Sequence, residues 1–283
     1  MAPQFVLTVS CPDRKGIVAA VASFLAGADC NILDSAQYDS PLTGRFFMRV
    51  TFASEGAAGL ETLQRNFQPI GDGFAMDWAI FDSASKPRVL LMVSKFGHCL
   101  NDLLYRLSIG ALPIEVPAIV SNHPDMAPLA AAAGIPYIHI PVPKDGKEAA
   151  EAELKRVFES ENCDFIVLAR YMQVLSDAFC AEYSGRIINI HHSFLPSFKG
   201  AKPYHQAHAR GVKMIGATAH FVTADLDEGP IIEQEAARVD HAMPPDALVA
   251  AGRDIESIVL ARAVKWHAEH RVLAYGNRTV VFR

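Results

Sequence analysis

Asn189, His191, His192 and Ser193 cluster at the end of a short apolar run that begins at Ile187, with Pro196 and Gly200 just beyond. An amide, two imidazoles and a hydroxyl this close together allow three kinds of chemistry. The two histidines could hold a metal. Adjacent residues on an extended chain point in opposite directions, however, and no His-x-x-x-His or cysteine partner supports them. Ser193 could be a nucleophile with a histidine as base, but the Gly-x-Ser-x-Gly elbow is missing. Alternatively, one histidine could serve as general acid and base while an amide stabilises an oxyanion. Asn189 and His191 are two positions apart, so on a strand both project from one face toward one pocket. A histidine in that role needs a carboxylate to orient it or a water. The segment His220-Phe221-Val222-Thr223-Ala224-Asp225-Leu226-Asp227-Glu228-Gly229 leaves an apolar run and offers Asp225, Asp227 and Glu228. Spacing does not choose among the three, and a solvated turn would use aspartate equally well.

The elements that must position these residues fall into two segments. Residues 5–11 alternate as a strand, 12–16 form a turn, and 16–27 read as a helix closed by glycine. Strands are predicted over 31–38 and 45–52, joined through Pro41 and Gly44 as a hairpin. A helix over 57–67 and a strand over 74–81 follow. The order is βαββαβ, the ferredoxin-like unit. Residues 82–87, polar and ending in Pro87, suit a linker. Beyond it, short apolar runs alternate with helices: strands over 89–93, 117–121, 137–141, 165–169 and 187–190, helices over 98–108, 126–133, 147–161 and 176–183. This pattern predicts a mostly parallel sheet covered on both faces. Strands over 214–222 and 231–239 have no helix between them, which makes the sheet mixed. Leu248, Ala251, Ile255, Val259, Ala263 and Trp266 recur every three or four residues in a last helix that Pro244 and Pro245 open. The domains expected are 1–84, a linker at 85–88, and 89–283. The polar cluster thus sits at the carboxyl end of a sheet strand, the usual ligand address of open α/β sheets.

Composition narrows the function classes. The 283 residues are 51% hydrophobic and 20% charged, with a formal charge of −5, which suits a packed globular chain rather than a disordered one. A mildly acidic chain lacks the broad cationic field of non-specific nucleic-acid binding. No apolar run approaches the roughly 20 residues that span a bilayer. Met1-Ala2-Pro3-Gln4 carries no basic segment of a signal peptide. Cys11, Cys30, Cys99, Cys163 and Cys180 are odd in number and never form a Cys-x-x-Cys pair, so they read as reduced thiols of a cytoplasmic protein. Neither Gly-x-Gly-x-x-Gly after a strand nor a P-loop is present, which argues against nicotinamide or nucleoside triphosphate chemistry.

The run Asn189-Ile190-His191-His192-Ser193-Phe194-Leu195-Pro196-Ser197-Phe198-Lys199-Gly200, followed by residues 220–232, closely resembles the folate-dependent formyltransferase family. That resemblance implies an active site of Asn189, His191 and Asp227 around a formyl group. It implies substrate contacts from Met172, Val174, Leu175, Ser193, Ala224 and Asp225, with no metal and no permanently bound cofactor. The first 85 residues, with Asp13-Arg14-Lys15-Gly16-Ile17 and Asn31-Ile32, resemble an ACT domain. Asp13, Gly16, Ile17 and Asn31 match positions that line effector sites in some relatives. The bland reading is that Gly16 opens the helix and Asp13 caps it. An ACT domain ahead of this catalytic segment, together with Gly200-Ala201-Lys202-Pro203-Tyr204-His205-Gln206-Ala207, is similar to the deformylase branch of the family. Ser94-Lys95-Phe96-Gly97-His98-Cys99-Leu100 also lacks the glycine-rich phosphate loop of the ribonucleotide transformylases. The implied reaction is hydrolysis of 10-formyltetrahydrofolate, with transfer to an amine or a non-catalytic sensor as alternatives. The implied partners are a folate substrate, an amino-acid effector and further copies of the chain.

Overall fold

The computed structural model describes residues 2–56, 58–195 and 203–283. Two compact units form. The first comprises Met1–Lys86 with Glu269–Tyr275 and Val280–Arg283, the second Pro87–Ala268 with Gly276–Thr279. This differs from a single boundary at 85–88, because the end of the chain packs with the first unit: Arg49 donates to the Glu269 carbonyl at 3.0 Å, and His270 stacks on Phe81 with ring centroids 3.6 Å apart.

The first unit runs β1 (Gln4–Pro12), α1 (Ile17–Gly27), β2 (Cys30–Ser40), β3 (Arg45–Ser54), α2 (Leu60–Phe74) and β4 (Asp77–Asp82). Its antiparallel sheet has the order β2-β3-β1-β4, as the βαββαβ pattern requires. Ile17, Val21 and Leu25 recur every four residues, so α1 buries one face against Leu7, Val9 and Phe52 of the sheet. Gly16 has φ +99°, a left-handed conformation that glycine adopts without strain. Asp13 does not cap α1, which has no side-chain cap; its backbone N–H instead donates to the Gly44 carbonyl at 2.9 Å. Of the other effector candidates, Ile17 is buried in the core, and Gly16 and Asn31 are exposed.

The helix expected to end at Phe67 continues through Pro69 to Phe74, so the strand expected from Phe74 starts at Asp77. Proline interrupts one helical hydrogen bond, at about 3 kcal/mol. The apolar period nonetheless runs on through Ile70 and Phe74, and both pack against the core. Partial burial of these two large side chains, each worth up to roughly 1.5–3 kcal/mol when fully buried, offsets the proline.

The second unit contains β5 (Val89–Val93), α3 (His98–Ser108), β6 (Ile119–Ser121), α4 (Ala127–Ala132), β7 (Tyr137–His139), α5 (Lys147–Ser160), β8 (Phe165–Leu168), α6 (Asp177–Glu182), β9 (Ile187–His191), α7 (Pro203–Ala209), β10 (Met214–Phe221), β11 (Ile231–Arg238) and α8 (Pro245–Ala268). Its sheet has the order β11-β10-β9-β8-β5-β6-β7. The five strands from β9 to β7 are parallel, and β10 and β11 are antiparallel. Every residue of β5 and β8 is buried, as expected of strands covered on both faces. Because β8 and β6 leave on opposite sides of β5, the order reverses there and a crevice opens at the carboxyl ends. A hairpin of β12 (Val272–Tyr275) and β13 (Arg278–Val281) ends the chain, turning at Gly276 with φ +57°.

Candidate active site

Asn189 and His191 leave β9 on the same face. The antiparallel register sets His220 of β10 directly opposite Asn189, and Thr218 opposite His191. A short polar wall thus crosses two adjacent strands. The loop from β10 to β11 brings Asp227 over it, with Oδ1 3.1 Å from His191 Nδ1. Two constraints shape that loop. The Phe221 N–H donates to the Pro230 carbonyl at 2.9 Å, closing the loop's ends. At Gly229 a Cβ would lie 1.8 Å from the Phe221 carbonyl oxygen, so only glycine fits. Asp227 itself has φ +59°, a left-handed conformation that aspartate tolerates better than most residues.

The hydrogen bonds settle the tautomers. His220 Nδ1 lies 2.9 Å from the Phe221 carbonyl, which can only accept, so Nδ1 carries the proton. Burial also lowers the His220 pKa, against the pull of the Phe221 carbonyl and Asp227, and favours the neutral ring. Its Nε2 is therefore an acceptor, and the Asn189 amide donates to it at 3.2 Å. This orients the Asn189 NH2 group and leaves its second N–H to donate elsewhere. Asp227 accepts from His191 Nδ1–H by the same logic, which leaves His191 Nε2 with its lone pair. Burial pushes the Asp227 carboxyl up, but the hydrogen bond from His191 and the neighbouring imidazoles outweigh it and hold the pKa below the usual value.

A cavity of about 260 Å³ opens on these groups, lined by Asn189, His191, His220 and Asp227. Met172, Val174, Leu175 and Ala224 also line it, whereas Ser193 and Asp225 do not. Ser193 is buried, and its carbonyl accepts from the Thr218 hydroxyl at 3.0 Å. Met172, Val174 and Leu226 are 52%, 60% and 61% exposed, an apolar lip suited to a flat aromatic ligand. The Met172 N–H is pinned at 2.9 Å by the Ser94 hydroxyl, which in turn donates to Asn122 at 2.7 Å.

Three further residues line the cavity outside the set of site residues expected from the sequence. Alternation along a strand leaves the role of His192 open, since it would turn the side chain away from His191. Strand β9 ends at His191, though, and the turning chain brings the His192 ring within 5.0 Å of the His191 ring. Burial, with the charges of Arg170 and His191, pushes its pKa down to about 4. His220 sits in an apolar strand, and only the pairing register reveals its partner. Arg170 lines the cavity at φ +66°. Lys202 and the 196–201 stretch lie outside the described residues, and Tyr204 and His205 are on α7.

An amide, a histidine and a carboxylate thus meet at the carboxyl edge of the sheet. Residues 87–264 match the Formyl transferase family, and residues 5–68 match the ACT domain. A formyltetrahydrofolate deformylase of Corynebacterium sp. (strain P-1) is 53% identical over 281 residues, covering 99% of this chain and 98% of that one. The crystal structure of a Burkholderia mallei formyltetrahydrofolate deformylase superposes with a TM-score of 0.95 at 55% identity, over 99% of this chain and 100% of that chain. Another from Pseudomonas syringae gives 0.97 at 48% identity, over 100% and 95%. The chain belongs to the formyltetrahydrofolate deformylase family.

Proposed function

We propose that the protein hydrolyses 10-formyltetrahydrofolate to tetrahydrofolate and formate, with Asn189, His191 and Asp227 as its catalytic residues. The observation that carries this reading is the His191–Asp227 pair at 3.1 Å facing one cavity with Asn189. Asp227 holds His191 with Nδ1 protonated, so Nε2 can take a proton from water. The hydroxide oxygen bonds to the formyl carbon, and the second Asn189 N–H stabilises the oxygen that becomes negative. The intermediate then collapses. His191 returns its proton to the departing folate nitrogen, the carbon–nitrogen bond breaks, and the formic acid formed loses its proton to water and leaves as formate. Water and folate balance the equation without a redox partner, so folate is substrate and no further cofactor is required. Met172, Val174 and Leu175 form the apolar wall for the pterin, with Ala224 on the polar side. Ser193 and Asp225 do not line the cavity, so no substrate contact is proposed for them.

The ACT unit is proposed to bind an amino-acid effector and to join copies of the chain. Edge strand β2 exposes Ile32, Leu33 and Tyr38, an apolar strip available to a second copy. Among the described residues no helix is long and apolar enough to cross a membrane, and we place the enzyme in the cytoplasm. Incubation with 10-formyltetrahydrofolate and no amine tests the reaction. Catalytic formate release is expected, and formate or formyl transfer that appears only after an amine is added would overturn it.

A further inference from the structure

A buried polar cluster behind the cavity takes no part in the steps above. Glu256 of α8 is 1% exposed, and its Oε2 accepts from His98 Nε2 at 2.8 Å. Its Oε1 accepts the Tyr204 hydroxyl at 2.7 Å. Arg170 Nε lies 3.4 Å from Oε2. One turn earlier on α8, a Cβ at Gly252 would lie 2.1 Å from the Tyr204 ring, so the glycine clears the ring's path to Glu256. Burial raises the Glu256 pKa, but the His98 bond, the Arg170 charge and the Tyr204 bond outweigh it and keep the carboxylate ionised.

A buried ion pair is poorer for stability than apolar packing of the same volume. Arg170 adds a left-handed backbone that non-glycine residues seldom adopt. Both disadvantages meet on a residue that lines the cavity. A metal does not account for them. The ligand atoms of His98, Cys99 and Glu256 lie within 4.8 Å of one another. Burial and Glu256 push the Cys99 thiol far above its usual pKa, however, and both Glu256 oxygens already accept hydrogen bonds. The cluster leads instead to His192. The Tyr204 ring meets the His192 ring edge-on with centroids 6.4 Å apart, and Arg170, whose charge acts on His192, lines the same cavity. His192 in turn flanks His191.

We propose that Glu256 is a positioning residue: by anchoring Arg170 and Tyr204 it holds His192 beside His191 in the arrangement that hydrolysis needs. This rests on the hydrolytic reading above. The full-length protein should be compared with Glu256→Gln, Tyr204→Phe, Arg170→Gln and the pair Arg170→Gln/Glu256→Gln. Each would be followed by formate release, melting temperature and the ring nitrogen resonances of His192. Glu256→Gln and Tyr204→Phe should lower kcat by about tenfold to a hundredfold, as loss of an orienting partner does, with folate KM within about threefold. The paired variant leaves no unpaired charge. It should melt near the wild type while its kcat stays no better than the worse single variant. The His192 resonances should shift in Glu256→Gln whether or not turnover is detected. Wild-type kcat in folded Tyr204→Phe and Glu256→Gln, or unmoved His192 resonances, would overturn the inference. Absence of formate release from the wild type would count against the hydrolytic reading instead, and the resonances would still decide the positioning role.

Discussion

Replacing Asp227 with asparagine isolates what the carboxylate does. Asparagine has the same shape and accepts the φ of +59° that Asp227 adopts, so the loop should keep its path. What changes is the group 3.1 Å from His191 Nδ1. If the amide presents its oxygen, His191 keeps its tautomer but loses a charge-assisted bond worth about 1.5–3 kcal/mol, or roughly 10–10² in rate. If it presents its NH2, Nδ1 must accept and the proton moves to Nε2, the atom meant to take a proton from water. A wrong tautomer of this kind lowers turnover by about 10⁴ in a serine-histidine-aspartate site. The expected fall in kcat is therefore about 10–10⁴, depending on which face of the amide meets His191. KM should change by less than about threefold, because the pterin wall is untouched. Steady-state formate release over a range of folate concentrations spanning KM measures both, and a melting curve confirms the fold. A kcat within about fivefold of wild type, in protein that melts normally, would refute the orienting role.

Asn189→Ala should lower kcat by about 10²–10³ by removing the oxyanion donor, with little change in KM. It should also cost about 1–3 kcal/mol of stability by leaving His220 Nε2 buried without a donor, which denaturant unfolding would reveal. Gly229→Ala forces a methyl against the Phe221 carbonyl, displaces Asp227, and should abolish most activity while lowering the melting temperature. His192 has a folded pKa near 4 against 6.5 unfolded, so the unfolded state binds the extra proton. Stability should thus be full above about pH 6.5 and decline by roughly 3 kcal/mol toward pH 4, and His192→Gln should flatten that decline in urea titrations. Asp227, whose pKa is depressed, behaves as an acid: its stabilisation is present above about pH 4 and is lost as pH falls through its folded pKa.

The fold class was legible because hydrophobic period and turn residues act locally. Ile17, Val21 and Leu25 announce a helix face wherever they occur, and the buried runs of β5 and β8 announce a covered parallel sheet. The two-residue spacing also carried Asn189 and His191 to one face. Local rules failed where a distant contact decided the outcome. Pro69 signals a helix end, yet Ile70 and Phe74 have a core to enter. The closing hairpin has its turn signal in Gly276-Asn277 between two short apolar runs. Strand β9 ends one residue before His192, so alternation no longer governs that side chain. His220 needs the β9–β10 register, and the selection of Asp227 over Asp225 and Glu228 needs the loop that Gly229 closes.

The central claim is that water is the formyl acceptor. Turnover of 10-formyltetrahydrofolate in oxygen-18 water, without any amine, tests it most directly. The account predicts formate carrying one labelled oxygen, in amounts equal to the tetrahydrofolate formed. Unlabelled formate, or no formate until an amine is supplied, would contradict it.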